Sequence, residues 1–135
     1  MPKTPSAPVK PTAHWLVRVA RAMLIGIAFL TFLFTLYTWI VLSWSYSTGE
    51  RAGYVQKFSR KGWVVKTWEG ELAMVAVPGS TPDKFYFTVR VDSAAVKINN
   101  TLGKRVALKY EQHVGVPSSA FGETEYFVTD VRVIE

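Results

Sequence analysis

A chain of 135 residues with a net charge of +6 and no cysteine has room for one compact domain, and it excludes disulfides, thiolate metal sites, c-type haem attachment and cysteine nucleophiles. The charge is uneven: Lys3, Lys10, Arg18 and Arg21 stand ahead of residue 22 with no acid among them, which leaves only +2 for everything behind. The high isoelectric point therefore belongs largely to the N-terminal tail and says little for a polyanion-binding domain.

Residues 1–21, with Pro2, Pro5, Pro8 and Pro11, have little to bury and are expected to form a disordered basic tail. From Ala22 to Ser47 no residue is charged. Roughly 20 such residues cross the hydrocarbon layer as a helix, the one open-ended structure that satisfies its own backbone there. Residues 22–47 are thus expected as a transmembrane helix, with Trp15 at one interface and Trp39, Trp44 and Tyr46 at the other. A cleaved signal peptide has a shorter apolar stretch and a small-x-small site. The sequence Trp44-Ser45-Tyr46-Ser47 is a poor one, so a retained signal anchor is favoured.

Basic residues near the membrane are nearly balanced, four before it and five from Arg51 to Lys66. Because folded domains translocate largely regardless of charge, the N-terminus is expected in the cytoplasm and the domain in the periplasm of a bacterial inner membrane. Ala28, Thr31, Thr35 and Thr38 share one helix face. They suit close helix–helix approach, or alternatively threonines that bond back to their own helix.

Residues 48–135 change to short alternating runs. Strands are expected over Gly53–Ser59, over Trp63–Val77 with a bulge or sharp bend at Gly70, and over Lys84–Val91, where Phe85, Phe87, Val89 and Val91 share a face. A short helix follows Asp92-Ser93, with Gly103 at its C-terminal end, and two strands, Lys104–Glu111 and Tyr126–Ile134, close the chain. Strand, strand, strand, helix, strand, strand is the order of an OB-like five-stranded barrel with one short helix; an open sandwich or SH3-like barrel is the alternative.

No dinucleotide fingerprint or phosphate-binding loop is present, so no cofactor is expected. His113 reads as a solvated strand-end residue. Glu69 and Glu71 could form an acid/base pair, but charge balance with Lys57 and Lys66 is the simpler account. Ser118, Ser119 and Asp130 have no placed histidine. No catalytic or metal site is assigned. The strongest feature is Gly49–Leu72, where Tyr54, Trp63 and Trp68 interleave with Lys57, Arg60, Lys61 and Lys66 as a candidate binding surface. Such residues can stack on bases, lie against anionic headgroups, or simply place aromatics in a core and lysines outside it.

The run GERAGYVQKFSRKGWVVKTWEGEL, Gly49 to Leu72, also resembles the signature G-E-R-x-G-Y-x-Q-K-F-S-x-K-G-W-x-x-K-T-W-E-G-E-L of a family of small bacterial single-pass inner-membrane proteins. The resemblance extends through Lys84–Val89 and implies one N-terminal anchor and a small domain. Some members bear the name 6-phosphogluconate dehydrogenase, which these residues do not support: the glycine motif is absent and the chain is too short for two such domains.

The expected function is a membrane-anchored, non-catalytic interaction module whose partners are the lipid bilayer and a protein of the cell envelope. A lipid- or envelope-glycan-binding domain is the alternative, and a minor hydrolase ranks third. Nucleic acid is set aside as a partner, since a domain outside the cytoplasm rarely meets any.

Overall fold

The computed structural model describes residues 1–8, 13–74 and 78–134. The chain divides into two compact units, Met1–Tyr37 and Thr38–Glu135. In the first, Met1–Pro8 have no regular structure and the helix α1 (Ala13–Ser43) begins. The helix starts ahead of residue 22 and stops short of residue 47, because helix formation does not require the absence of charge that marks a lipid-soluble stretch. At 1.5 Å per residue its 31 residues extend about 46 Å, and it is long and apolar enough to cross a membrane.

The second unit holds β1 (Ser47–Lys61), β2 (Thr67–Met74), β3 (Lys84–Val89), α2 (Asp92–Asn99), β4 (Arg105–Gln112) and β5 (Tyr126–Val133). The strands close in the order β1-β2-β3-β5-β4, the OB topology expected from the element order. One long strand makes closure possible. Residues Ser47–Tyr54 of β1 pair with β4, while Gly53–Lys61 pair with β2. A register shift between Val55 and Lys57 bends the strand, as a bulge does.

The bulge expected at Gly70 is therefore found in β1 instead. Gly70 sits in unbroken pairing, opposite Phe58 and Phe87, and a Cβ there would overlap the Phe87 ring. The glycine makes room for a core aromatic and turns no corner. The second expected strand is also shorter. Gly62, at φ +134°, stops β1, and Trp63–Lys66 form a loop before β2 opens at Thr67.

Strand alternation fills the interior with Val55, Leu72, Phe85, Phe87, Val89, Val106, Leu108 and Val128. Ala94, Ala95 and Ile98 of α2 complete that core. Each fully buried large side chain stabilises the barrel by about 1.5–3 kcal/mol. Val91 lies beyond β3 and is exposed. The N-terminus of α2 has no side-chain cap; Asp92 instead accepts a hydrogen bond from Trp68 Nε1 at 3.3 Å.

His113 is buried, contrary to the solvated role expected of it. Its Nδ1 lies 3.0 Å from the carbonyl oxygen of Val41, in the last turn of α1, where carbonyls have no helical donor. Its ring packs edge-on against Phe127, and Nε2 is 3.5 Å from Glu111 Oε2.

Candidate binding face

The outer face of β1–β2–β3 is built by register. Lys57 stands opposite Glu71 and then Tyr86, Ser59 opposite Glu69 and then Thr88, and Lys61 opposite Thr67. These side chains share one side because paired residues across antiparallel strands do. The β4–β5 loop lies against this face, and Glu69 holds it there.

The Glu69 carboxylate is only 5% exposed and accepts from Thr67 Oγ1 at 2.6 Å, Thr88 Oγ1 at 2.7 Å and the Glu123 N–H at 3.2 Å. Three donors replace the water it lost, so no counter-ion is needed to bury it. Thr124 N–H donates to Thr88 Oγ1 at 3.2 Å, and Lys61 Nζ pairs with Glu123 Oε2 at 3.3 Å. Glu71 pairs with Lys84 at 2.6 Å, which raises the lysine above its ordinary value, first through that hydrogen bond and then through Glu71's charge. Glu69 and Glu71 are thus separately engaged, and the cation that balances Glu71 is Lys84, not Lys57 or Lys66.

At the lip of the face, the β1–β2 loop presents Trp63, Val64 and Val65 to solvent, with Trp63 fully exposed. Between this tip and Ser118, Ser119 and Ala120 of the β4–β5 loop lies a cleft of about 620 Å³.

Of the seven residues expected to form one surface, the fold brings together Lys57 and Lys61, with Trp63 and Lys66 on the adjoining loop. Tyr54 lies on the other side of the bend, opposite Ala73 and Arg105. Arg60 and Trp68 point to the other side of the sheet, where Arg60 covers the Trp68 ring at 5.8 Å and Trp68 stacks on Phe58 at 5.1 Å. Ser59, Tyr86, Glu123 and Thr124 belong to the face and were not anticipated. Two-residue alternation would have found Ser59 and Tyr86; no local signal marks Glu123 or Thr124.

In α1, Thr31 Oγ1 donates to the Ile27 carbonyl and Thr35 Oγ1 to that of Thr31, both at 2.8 Å. Ala28 is exposed. In the second unit, Thr38 is buried, and its hydroxyl has no hydrogen-bond partner among the described residues. Ser118, His113 and Asp130 form no relay: Asp130 pairs with Lys97 at 3.0 Å, Ser118 Oγ accepts from Ala120 N–H, and His113 faces Val41.

Residues 44–134 match a family described as a domain of unknown function, DUF8785, and the chain belongs to that family. No curated protein matches the sequence. Among solved structures the barrel is similar to the mitochondrial single-stranded DNA-binding protein Rim1 of S. cerevisiae. The TM-score is 0.52 at 9% identity, covering 68% of this chain and 97% of that one. At that identity the likeness establishes the fold. It also corrects the expectation that set nucleic acid aside: the fold is shared with a protein that binds single-stranded DNA, and the exclusion rested on a compartment inferred from nearly balanced basic counts.

Proposed function

From that family and that barrel, we propose that this protein is a membrane-tethered, non-catalytic binding module that holds an extended ligand across β1–β2–β3, between the β1–β2 and β4–β5 loops. The observation that carries the reading is the cleft of about 620 Å³ beside the exposed Trp63. OB barrels take oligomeric ligands on this face and between these loops. The length and apolarity of α1, the aromatic residues at its ends and the resemblance of Gly49–Leu72 to single-pass proteins support the tether.

Single-stranded nucleic acid is the ligand class we assign. Trp63 and Tyr86 expose rings on which bases can stack. Lys57 and Lys66 have no carboxylate at ion-pair distance among the described residues. This ligand requires the domain on the cytoplasmic side. Full-length protein in nanodiscs, titrated with fluorescein-labelled oligothymidylate at low salt, is expected to bind with quenching of tryptophan fluorescence and to release as salt rises. No binding at low salt overturns the assignment.

A second reading keeps the N-terminus in the cytoplasm, the domain in the periplasm and a protein of the envelope as ligand. Val64 and Val65, exposed beside Trp63, favour it, since successive apolar residues at a loop tip suit a protein surface better than a phosphate backbone. A topology reporter fused after Glu135 separates the two.

A further inference from the structure

We infer that the cleft beside the start of β3, ahead of its junction with β5, docks an extended segment of a partner protein, which pairs with β3 at Tyr86 and offers a side-chain carboxylate to Arg51. The inference goes beyond the cleft beside Trp63 and does not rest on it.

The first observation is the stretch of β3 edge ahead of its junction with β5 at Thr88. The Met74 N–H donates to the Asp83 carbonyl at 2.9 Å. With Ala73 opposite Lys84 and Leu72 opposite Phe85, that bond sets the phase of the ladder. The backbone groups of Phe85, Phe87 and Val89 face β2, and those of Lys84, Tyr86 and Thr88 face the seam. There β3 meets β5 at one pair alone, Thr88 with Phe127. Lys84 N–H is taken by Asp83 Oδ1 at 2.9 Å. The N–H of Tyr86 faces away from β2 and makes no turn or loop hydrogen bond among the described residues, and Tyr86 borders a cleft of about 440 Å³ whose walls include Arg51, Lys84, Glu123, Glu125 and Tyr126. An unpaired strand edge in a groove is the setting for β-augmentation.

The second observation is the cation inside that cleft. Arg51 stands opposite Leu108, a fully buried residue, so its side chain is on the inner side of the barrel. Its guanidinium lies 4.7 Å from the Phe85 centroid and 5.8 Å from that of Tyr110, with Nη1 3.5 Å from Met74 Sδ. The other cation of the cleft, Lys84, is matched by Glu71. Arg51 has no carboxylate at ion-pair distance among the described residues. A partly buried guanidinium whose contacts among the described residues are rings and a thioether is poorly compensated, and its planar fork fits a carboxylate. The Tyr86 N–H selects a peptide over a nucleic acid, because it needs a main-chain carbonyl in strand register.

The probes are a pool of fluorescein-labelled Thr/Val heptapeptides bearing one Glu, and the same pool with Gln. Against the full chain in nanodiscs the Glu pool is expected to bind about tenfold tighter, as for a charge-assisted pair. Exchange of the Tyr86 amide should slow on binding. Arg51→Gln should erase the preference, and Arg51→Lys should keep part of it. The Glu/Gln comparison uses the unmodified chain, so no variant need fold for it to decide. Equal binding of the two pools, no binding of either, an unprotected Tyr86 amide, or protection of that amide by oligothymidylate would each overturn the inference.

Discussion

Thr88 Oγ1 donates to Glu69 Oε2 at 2.7 Å, and with the Glu123 N–H on the other oxygen one buried carboxylate joins β2, β3 and the β4–β5 loop. The loop that borders the candidate binding face is therefore set by a buried residue of β2.

Glu69→Ala leaves two threonine hydroxyls and the Glu123 N–H without their acceptor. We expect a loss of about 1–3 kcal/mol, the penalty for buried polar groups left unpaired. Faster amide exchange over 118–125 should accompany a lower denaturation midpoint. A midpoint change with unaltered loop exchange would show that Glu69 does not hold the loop.

Gly70→Ala places a methyl group against the Phe87 ring, which is fully buried and has nowhere to retreat. The expected cost is about 1–3 kcal/mol from overpacking, partly relieved by adding Phe87→Leu. Denaturant unfolding of the single and double variants measures both; a neutral single variant refutes the packing account.

Trp63→Ala removes a side chain that touches little of the protein. Stability should stay within about 0.5 kcal/mol, while affinity for oligothymidylate falls. Unchanged affinity would remove Trp63 from the site.

His113→Ala takes the imidazole from the Val41 carbonyl and from Phe127, and we expect a loss of about 1–3 kcal/mol with faster exchange at the end of α1. Phe in its place should recover the ring packing and leave the carbonyl unpaired.

Lys97 lowers the Asp130 carboxyl below 3.8, chiefly by its hydrogen bond, with further lowering from the Val131 backbone N–H. The sign follows from linkage: a depressed carboxyl contributes stability above its unfolded value, and that contribution is lost as pH falls through the folded one. Lys97→Met should return the NMR-monitored titration of Asp130 toward 3.8, with little effect on stability near neutral pH because the pair is exposed.

The order of elements was legible because hydrophobic period and turn residues are local. Phe85, Phe87 and Val89 on one face and the helix after Asp92 needed nothing beyond their neighbours. The candidate surface was not legible, because it depends on which way each β1 residue points. Tyr54, Arg60 and Lys61 look contiguous in sequence, yet the shift near Gln56 exchanges the two sides of the strand. Glu69 and Glu123 are joined by chain topology, which leaves no trace in composition. Gly70 could be read either as a corner or as a gap for a ring, and only knowledge of the opposing Phe87 decides.

The shift between Val55 and Lys57 makes residue count, more than residue type, the guardian of the barrel's corner. Removing Gln56 would let Val55 opposite Leu72 and Lys57 opposite Glu71 follow one another in unbroken register: Lys57, Ser59 and Lys61 would keep their side of the strand, and the bend would be lost. Many single replacements along this stretch are tolerable in principle, whereas the loss of one peptide unit removes the corner at which β1 passes from β4 to β2.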